Sequence, residues 1–222
     1  MLYDREVQNY LKGNKLSSGY WIDIPYQPLI KRNMLLADLA RDKKVLHFGC
    51  ADHIELIEQK RNAGSYLHDI IEKSAKSVTG CDTNEDAIEK MKELGIKNVH
   101  TLDALPYQSY DLIIAADVIE HVPNVQYFLN SLKQYNAEQF IITTPNCYRL
   151  LNRKLWNKEL VNTDHRCWFS PYTLSKSIID AGFQVKEMYF TDEISRLDII
   201  SFFIKKSYPL LRDGLALLAN IK

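Results

Sequence analysis

Closely spaced cysteines are missing from this 222-residue chain. Its four cysteines are far apart and form no CxxC pair; they are Cys50, Cys81, Cys147 and Cys167. Structural zinc sites usually need such pairs, and disulfide frameworks need cysteines at higher density. We therefore expect neither a disulfide scaffold nor a metal site.

Long apolar runs and an excess of charge of one sign are also absent. The longest wholly apolar stretches have about five residues, as in Leu112 to Ala116, whereas a spanning helix needs about 20. The N-terminal MLYDREVQNYLKGNK is charged from its fourth residue, unlike a secretory signal. The 28 basic residues balance 28 acidic ones, and non-specific binding to nucleic acid needs a basic surplus. We expect a soluble, cytoplasmic protein that binds no nucleic acid.

What the chain does contain is an alternation of strand-like and helix-like segments from Lys44 onward. The predicted strands are KVLHF, SVTGCD, KNVHTLD, YDLIIAAD, EQFIITT, QVKEMYF and IISFFIKK. The last two are too close together for a parallel crossover, so one of them is predicted to be antiparallel. The pattern predicts an α/β fold with a doubly wound, mostly parallel seven-stranded sheet and one antiparallel strand near its edge.

A single domain is expected over residues 1–222. Residues 1–42 are predicted to form a helical cap, with a helix around Leu29 to Ala40, and residues 43–206 the α/β core. Residues 207–222 are apolar and are predicted to form a C-terminal helix docked on the sheet. An alternative role for this apolar segment is weak contact with a membrane surface.

Acidic residues follow three of the predicted strands, at Asp82, Asp103 and Asp117. Ligands of open α/β sheets bind at the carboxyl ends of the strands. A carboxylate after the second strand is well placed for the two hydroxyls of a ribose, and one after the third for the amino group of an adenine. A dinucleotide fingerprint needs three close glycines, and only Gly49 is present, so this alternative is disfavoured.

Four ordered segments resemble the motifs of class I S-adenosylmethionine-dependent methyltransferases: VLHFGCADH, VTGCDTNEDAIEKM, LDALPYQSYDLIIAADVIEHVPN and NTDHRCWFSPYTLSKSIIDAGF. Within that family they are similar to the subgroup with an EH(V/L)P turn after the fourth strand and an HxxWFSP segment after the fifth. The resemblance covers roughly residues 44–190. It implies a Rossmann-like methyltransferase fold with S-adenosylmethionine as cofactor.

The resemblance also implies a cofactor site made of His47, Gly49, Cys50, Ala51, Asp82, Thr83, Asp103, Ala104, Ala116 and Asp117. The backbone of Gly49 and Ala51 would border the methionine and ribose of the cofactor. The glycine loop departs from the family pattern D/E-x-G-C-G-x-G, because His47, Ala51 and His53 replace its acid and its second and third glycines. Ala51 is compatible with the loop if its φ is negative, whereas His53 adds bulk beside the ligand.

Two histidines are the candidate catalytic residues, next to the position where Ala116 and Asp117 would border the sulfonium. His121 belongs to the EHVP turn, and His165 lies on the long connection after the fifth strand. Either histidine could serve as a base for a hydroxyl acceptor, or could have a structural role. The neighbouring Glu120 is expected to be a solvated or loop-bonded carboxylate.

The connection that carries His165 is basic and aromatic. Its charged residues are Arg149, Arg153, Lys154, Lys158 and Arg166 against Glu159 and Asp164, and its aromatic residues include Tyr148, Trp156 and Trp168. Such a loop could hold a phosphate or sugar acid and stack on a sugar or aromatic ring. A solvated loop anchored to the body of the protein is the alternative.

The leading expectation is an S-adenosylmethionine-dependent enzyme that O-methylates a small molecule or a sugar or glycan hydroxyl, in polysaccharide biosynthesis. Two alternatives stay open. One is methylation of a quinone or phenolic metabolite, with the apolar C-terminus serving a lipid-borne substrate. The other is a catalytically degenerate methyltransferase fold that binds a partner, suggested by the irregular HFGCADH loop.

Overall fold

Seven strands form one sheet in the part of the chain that the computed structural model describes, residues 3–153, 158–193 and 199–221. Their order across the sheet is β3-β2-β1-β4-β5-β7-β6. The strands are β1 Lys44–Phe48, β2 Ser77–Asp82, β3 Val99–Thr101, β4 Tyr110–Ala116, β5 Ala137–Pro145, β6 Gln184–Thr191 and β7 Gly214–Asn220.

Helices connect the strands and cover both faces of the sheet. They are α1 Arg5–Leu11, α2 Arg32–Ala40, α3 Ile54–Asn62, α4 Leu67–Glu72, α5 Glu85–Glu93, α6 Val125–Ser131, α7 Leu150–Arg153, α8 Pro171–Asp180 and α9 Ile199–Ser207. Short 3₁₀ helices lie at Leu102–Ala104, Leu132–Gln134 and Pro209–Leu211. Among these described helices, none has the length and apolar character needed to cross a membrane.

The order of the strands reverses between β1 and β4. β1 pairs in parallel with both β2 and β4, so the chain runs from β1 outward to β3 and then returns to start the other half of the sheet. β7 is antiparallel to both of its neighbours, β5 and β6. The predicted fold class is therefore confirmed, with a crevice expected where the strand order reverses.

Two predictions for the C-terminal segment are wrong. IISFFIKK, predicted as a strand, belongs to helix α9, and residues 207–222, predicted as a helix, contain strand β7. β7 is buried on both faces, with Leu215 and Leu217 in one core cluster and Ala216 in the other. An apolar run without alternation fits a central strand as well as a buried helix. Its burial also removes the apolar surface on which the expected membrane contact depended.

The core lies on both sides of the sheet. On one side, Leu129 of α6 and Leu174 of α8 pack against Phe140 of β5. On the other side, Leu36 of α2 packs in a second cluster with Val45 of β1. All five side chains are nearly inaccessible to solvent. The two layers hold the strands in register, so that their carboxyl ends form a fixed edge.

The predicted N-terminal helix is present as α2, where it covers one face of the sheet. Helix α1 is capped by Asp4, whose side chain accepts a hydrogen bond from the Val7 amide. Its buried Leu11 packs in a cluster with Ile179 of α8. The N-terminal segment is thus part of the packed body, and Arg32, the first residue of α2, reaches Asp117 after β4.

Candidate active site

The residues predicted to bind a ligand follow strands that are neighbours in the sheet. Phe48 is in register with Cys81 on β2 and with Ala115 on β4, and Asp82 is in register with Thr101 on β3. All three pairings are parallel, so the carboxyl ends of these strands meet at one edge. The structure therefore brings the glycine turn and the acidic strand ends together, as the sequence predicts.

Gly49 forms the turn that leaves β1. Its φ is +70°, in the left-handed region, and a Cβ atom placed on it would lie 2.4 Å from Cγ2 of Val118. The amides of Gly49 and Cys50 both donate hydrogen bonds to the Cys81 carbonyl, at 2.8 and 3.0 Å. Only glycine suits both the backbone angle and the close approach of Val118. The turn therefore needs glycine at this position, because the Val118 side chain lies against it.

The two substituted glycines of the loop do not strain it. Neither Ala51 nor His53 lies in the left-handed region, and His53 is exposed immediately before α3, with a φ of −54°. The Ala51 amide donates a hydrogen bond to Oδ2 of Asp82 at 3.1 Å. Non-glycine residues at these two positions are therefore compatible with a folded, ordered loop.

Asp82 joins the glycine loop to the start of α5. Its Oδ2 accepts from the Ala51 amide and its Oδ1 from the Asn84 amide, at 3.1 and 3.0 Å. A carboxylate oxygen can accept two hydrogen bonds. Each oxygen of Asp82 accepts one, so both can still accept a bond from a ligand hydroxyl. Asp103 lies exposed in the 3₁₀ helix after β3. Exposed neighbours at the same edge are Thr83 and Ala104.

His47 and Cys50 offer little side-chain surface to a ligand. His47 is 2% exposed, and its Nδ1 lies 3.1 Å from Nδ1 of His68 on α4. Burial and the neighbouring His68 hold the pKa of His47 well below its usual range. The Cys50 thiol is buried beside Met91, and burial raises its pKa. Their place in the cofactor site stays a prediction, and because both side chains are buried, contact with a cofactor would come from their backbone.

Asp117 is held firmly at the end of β4. Its φ is +53°, and its amide donates to the backbone and side-chain oxygens of Thr143, each at 3.1 Å. The Thr143 hydroxyl donates back to Oδ1 at 2.7 Å, while Arg32 forms an ion pair with Oδ2. Asp117 therefore positions the turn after β4 through its amide and through one bond on each of its carboxylate oxygens.

Glu120 is buried, and the expectation of a solvated or loop-bonded carboxylate is wrong. Only 1% of the residue is exposed. Among the described residues, no hydrogen bond of good geometry reaches either carboxylate oxygen, although the Thr144 hydroxyl lies close enough to favour the ionised form. Burial raises the pKa of Glu120 to about 8, and the negative charge of Asp117 adds to the shift. At neutral pH the carboxyl group therefore resists ionisation unless a positive charge approaches it.

The two candidate catalytic histidines meet at this edge. The rings of His121 and His165 pack edge to face, with centroids 4.8 Å apart. His121 Nδ1 lies 3.2 Å from the backbone oxygen of Asp164. Burial and the neighbouring His121 lower the pKa of His165, which favours its neutral form near pH 7. A neutral imidazole can accept a proton or bind a cation.

The loop that carries His165 is fastened to the turn that carries His121. The Arg166 amide donates to the Glu120 carbonyl at 2.7 Å, and its Nε donates to the His121 carbonyl at 3.0 Å. Arg149 stacks over the ring of Trp168, with Cζ 4.9 Å from the ring centroid. Of the predicted basic and aromatic loop residues, Lys154 and Trp156 lie outside the described residues.

Sequence reasoning missed Arg32 and gave no role to Thr143 and Thr144. Arg32 reaches Asp117 across 85 positions of the chain, and no local pattern signals such a pairing. The threonines end β5 next to β4, and their place follows only from the parallel register of the two strands. Glu120 had one usable signal, because it directly precedes His121 in a turn after a buried strand.

Known proteins match both the sequence and the fold. Residues 20–188 match the family described as "Methyltransferase domain". An (S)-tetrahydroprotoberberine N-methyltransferase from Eschscholzia californica is 25% identical over 91 residues, which are 41% of this chain and 25% of that protein. The chain thus aligns with about a quarter of the length of that curated relative.

Two solved structures show the same architecture. One is a SAM-dependent methyltransferase from Aquifex aeolicus, with a TM-score of 0.55, 18% identity, and coverage of 87% of this chain and 91% of that chain. The other is magnesium protoporphyrin IX methyltransferase from Synechocystis PCC 6803 with bound SAH, with a TM-score of 0.52, 18% identity, and coverage of 85% and 79%. Both support the overall fold described above.

The matched region runs from the segment before α2 to β6 and contains the glycine turn, the acidic strand ends and both histidines. The family that the motifs suggest is therefore confirmed, while the EHxP subgroup stays a prediction. The chain belongs to the methyltransferase domain family, and it has the fold of S-adenosylmethionine-dependent methyltransferases.

Proposed function

We propose that this methyltransferase transfers the methyl group of S-adenosylmethionine to a hydroxyl oxygen of a small molecule or sugar. The observation that carries the proposal is the meeting of His121 and His165 at the end of β4, with ring centroids 4.8 Å apart. A hydroxyl is a poor nucleophile that must lose its proton during transfer, whereas a free amine needs no such help. Two imidazoles beside the reacting centre favour oxygen as the acceptor atom.

The strand-end residues would hold the cofactor. In this proposal the backbone from Gly49 to Ala51 borders its methionine and ribose, Asp82 accepts the ribose hydroxyls, and Asp103 accepts the adenine amino group. The unfilled hydrogen-bonding capacity of Asp82 and the exposure of Asp103 fit these roles. Gly49 and Ala51 are partly exposed, which leaves part of their backbone accessible to a ligand. When bound, the cofactor supplies a methyl group on a sulfonium, which leaves as a neutral thioether.

The protein's own part in the reaction is alignment, exclusion of water and proton removal. With S-adenosylmethionine bound, the acceptor oxygen would give its lone pair to the methyl carbon, and the electrons of the carbon–sulfur bond would stay on sulfur. The proton of the hydroxyl passes to a basic group at the edge, for which the neutral His165 is suited. Asp117, fixed by Arg32 and Thr143, keeps the turn that carries His121 in place.

The loop around His165 supports a polar acceptor. Arg166 and Lys158 are exposed, and the Arg149 guanidinium lies over Trp168. Cations of this kind bind phosphate or carboxylate groups, and exposed aromatic rings stack on sugars. We therefore infer a sugar or sugar-phosphate derivative as the acceptor, as in polysaccharide biosynthesis.

The alternative acceptors have less support. The apolar C-terminal segment that suggested a lipid-borne quinone is buried as β7. The irregular glycine loop that suggested a degenerate fold adopts a conformation open to non-glycine residues at Ala51 and His53. N-methylation is a further candidate, because the Eschscholzia californica relative is an N-methyltransferase.

Cofactor binding is the first test. We expect S-adenosylhomocysteine, titrated calorimetrically into the full chain, to bind at micromolar concentration, and NAD not to bind. Asp82→Ala removes a charged acceptor and should weaken this binding at least about tenfold. Glu89→Ala, an exposed acid on α5, is the matched control and should bind as wild type does. Wild-type protein that fails to bind the ligand would contradict the proposal.

Acceptor class is the second test. Sugar nucleotides, phenols and amines are each incubated with S-adenosylmethionine, and methylated product is measured by mass spectrometry. We expect turnover with sugar hydroxyls, and His165→Gln should lower kcat on them by about 100-fold or more. Turnover confined to amines would contradict the proposed O-methylation and would show that the protein is an N-methyltransferase.

A further inference from the structure

Three metal-ligating side chains converge where the turn after β4 meets the loop before α8. Glu120, His121 and His165 each offer one ligand atom, and these atoms all lie within 4.8 Å of one another. The first two side chains come from adjacent residues, and the third comes from a segment 44 residues further along the chain. The hydrogen bonds of Arg166 to the turn fix the two segments against each other.

The polar atoms of this cluster are buried but unpaired. Among the described residues, no hydrogen bond of good geometry reaches either carboxylate oxygen of Glu120 or Nδ1 of His165. The Thr144 hydroxyl lies beside the Glu120 carboxyl and only partly offsets the rise in its pKa. Buried polar atoms in native proteins nearly always have partners. The ligand atoms of Glu120 and His165 lie within 4.8 Å of each other, and a divalent cation between them would give each a partner.

Both histidines have outer partners of the kind found around metal sites. Nδ1 of His121 lies 3.2 Å from the backbone oxygen of Asp164 and 3.3 Å from its Oδ2. The side-chain amide of Asn162 lies 2.8 Å from Nε2 of His165. Metal-bound histidines typically donate their second N–H to a carbonyl or carboxylate, which fixes the ring and exposes the other nitrogen. The Asn162 atom nearest Nε2 is the amide nitrogen. With the amide turned end for end, its oxygen accepts the Nε2 proton, and Nδ1 of His165 is free to bind a metal.

We propose that Glu120, His121 and His165 bind a divalent transition-metal ion of the manganese, iron or zinc type. Two imidazoles and one carboxylate suit these ions better than magnesium, which prefers oxygen ligands. Such ligands lie about 2.0–2.2 Å from the ion, so any pair of ligand atoms that is now as far apart as the 4.8 Å limit must draw closer when the ion binds. Three protein ligands leave coordination positions open for an acceptor oxygen.

The ion deepens the proposed function, and this part of the inference rests on it. A hydroxyl bound to a divalent cation loses its proton more easily, and the proton leaves to solvent. With the ion present, the two histidines act as its ligands, and the ion in place of an imidazole makes the acceptor oxygen nucleophilic. The arrangement also explains why a carboxylate is kept buried next to two imidazoles without hydrogen bonds.

The test measures metal binding directly. The full chain, stripped with a chelator, is titrated with Zn²⁺, Mn²⁺ and Mg²⁺ alone, and the metal content is determined after dialysis. We expect one tightly held ion per chain, with Zn²⁺ or Mn²⁺ bound more tightly than Mg²⁺. Glu120→Gln should abolish metal binding. His165→Asn, which changes a more exposed residue, should abolish it too. Asp164→Asn removes only an outer partner and should weaken it about 10- to 100-fold.

His100→Asn is the matched control, because His100 lies on β3 outside the cluster, and this variant should bind the ion as wild type does. Binding that is unchanged in both Glu120→Gln and His165→Asn, or absent from wild type, would overturn the metal site. S-adenosylhomocysteine is titrated into the same samples. Cofactor binding without metal binding defeats the metal site alone, whereas metal binding without cofactor binding defeats the proposed function alone.

Discussion

At the scale of single residues, the backbone at Gly49 limits what the site tolerates. A side chain there must adopt a φ of +70° and meet Val118 at 2.4 Å. The left-handed conformation costs a non-glycine residue about 1–2 kcal/mol, and overpacking costs about 1–3 kcal/mol more. The turn is therefore sensitive to a change as small as one methyl group.

We predict that Gly49→Ala lowers the free energy of unfolding by more than Gly64→Ala does. Gly64 has a similar φ of +66°, but nothing lies within 4 Å of a Cβ atom placed on it. Gly64→Ala therefore carries only the conformational cost. The difference between the two variants, measured by urea unfolding, should be about 1–3 kcal/mol. If the two variants lose the same free energy of unfolding, the Val118 side chain must move aside at no cost, and the close contact then has no effect on stability.

The buried pair of His47 and His68 makes stability depend on pH. Burial lowers the pKa of His68 to about 4, below its usual value of 6.5. The folded state therefore binds fewer protons than the unfolded state between these values. The stability that the neutral, buried His68 contributes is complete above about pH 6.5 and is lost as the pH falls toward 4.

We predict that the unfolding free energy of wild type falls between pH 6.5 and 4.5 by up to about 1.4 kcal/mol per pH unit for each such histidine. His68→Gln should fall less steeply, because it has lost one titrating group. The exposed His53 provides the control, since His53→Gln should keep the wild-type slope. Parallel slopes for wild type and His68→Gln would refute the assignment.

Sequence reasoning located the residues whose role follows from position in a strand. Asp82 and Gly49 could be predicted because each directly follows a recognisable strand and parallel strands share an edge. The burial of Glu120 could not be predicted, because it depends on a loop that returns from 45 residues away and places Arg166 and His165 over the side chain. Local patterns do not encode such closure.

At the scale of elements, α8 holds the loop of His165 at its far end. Ser170 and Thr173 form a reciprocal cap, in which Ser170 Oγ accepts from the Thr173 amide at 3.1 Å and Thr173 Oγ1 accepts from the Ser170 amide at 2.9 Å. Pro171 occupies the first turn. The SP dipeptide allowed this helix start to be predicted from the sequence.

We predict that Ser170→Ala destabilises the protein by about 1 kcal/mol, the usual cost of losing an N-cap. Ser177→Ala is the control on the same helix, because the Ser177 hydroxyl donates only to the Thr173 carbonyl one turn earlier. That variant should stay within about 0.5 kcal/mol of wild type. Thermal and urea unfolding of the two variants give the comparison, and similar values for both would contradict the cap.

The two elements that sequence analysis assigned wrongly, α9 and β7, show where pattern reading fails. β7 runs between β5 and β6, with both faces covered, so Leu215 to Ala219 carries no polar alternation. Its strand character is decided by its neighbours. The apolar residues of α9 gave the opposite error, because Ile199, Ile200 and Phe203 look like a strand yet lie exposed on a helix.

At the scale of the whole molecule, Arg212 ties three parts of the chain together. Its buried guanidinium donates to the carbonyls of Gln27 at 2.6 Å, Pro28 at 2.9 Å and Phe190 at 3.1 Å, and its Nε donates to Lys205 at 2.9 Å. These carbonyls belong to the segment before α2, to β6 and to α9. The segment before α2 leads directly to Arg32, which forms an ion pair with Asp117. By holding this segment in place, Arg212 therefore helps to fix the position of Asp117 at the site.

We predict that Arg212→Lys destabilises the protein by at least about 3 kcal/mol, because one ammonium group cannot reach all the carbonyls and those left buried are unsatisfied. Limited proteolysis should then cut near residues 20–31 sooner than in wild type. S-adenosylhomocysteine should bind more weakly, since Arg32 would hold Asp117 less firmly. Arg41→Lys, on an exposed arginine paired with Asp38 at 2.7 Å, should change stability by no more than about 0.5 kcal/mol. Destabilisation of Arg212→Lys with unchanged cleavage and unchanged ligand binding would mean that the N-terminal connection keeps its place without Arg212, and that the site does not depend on it.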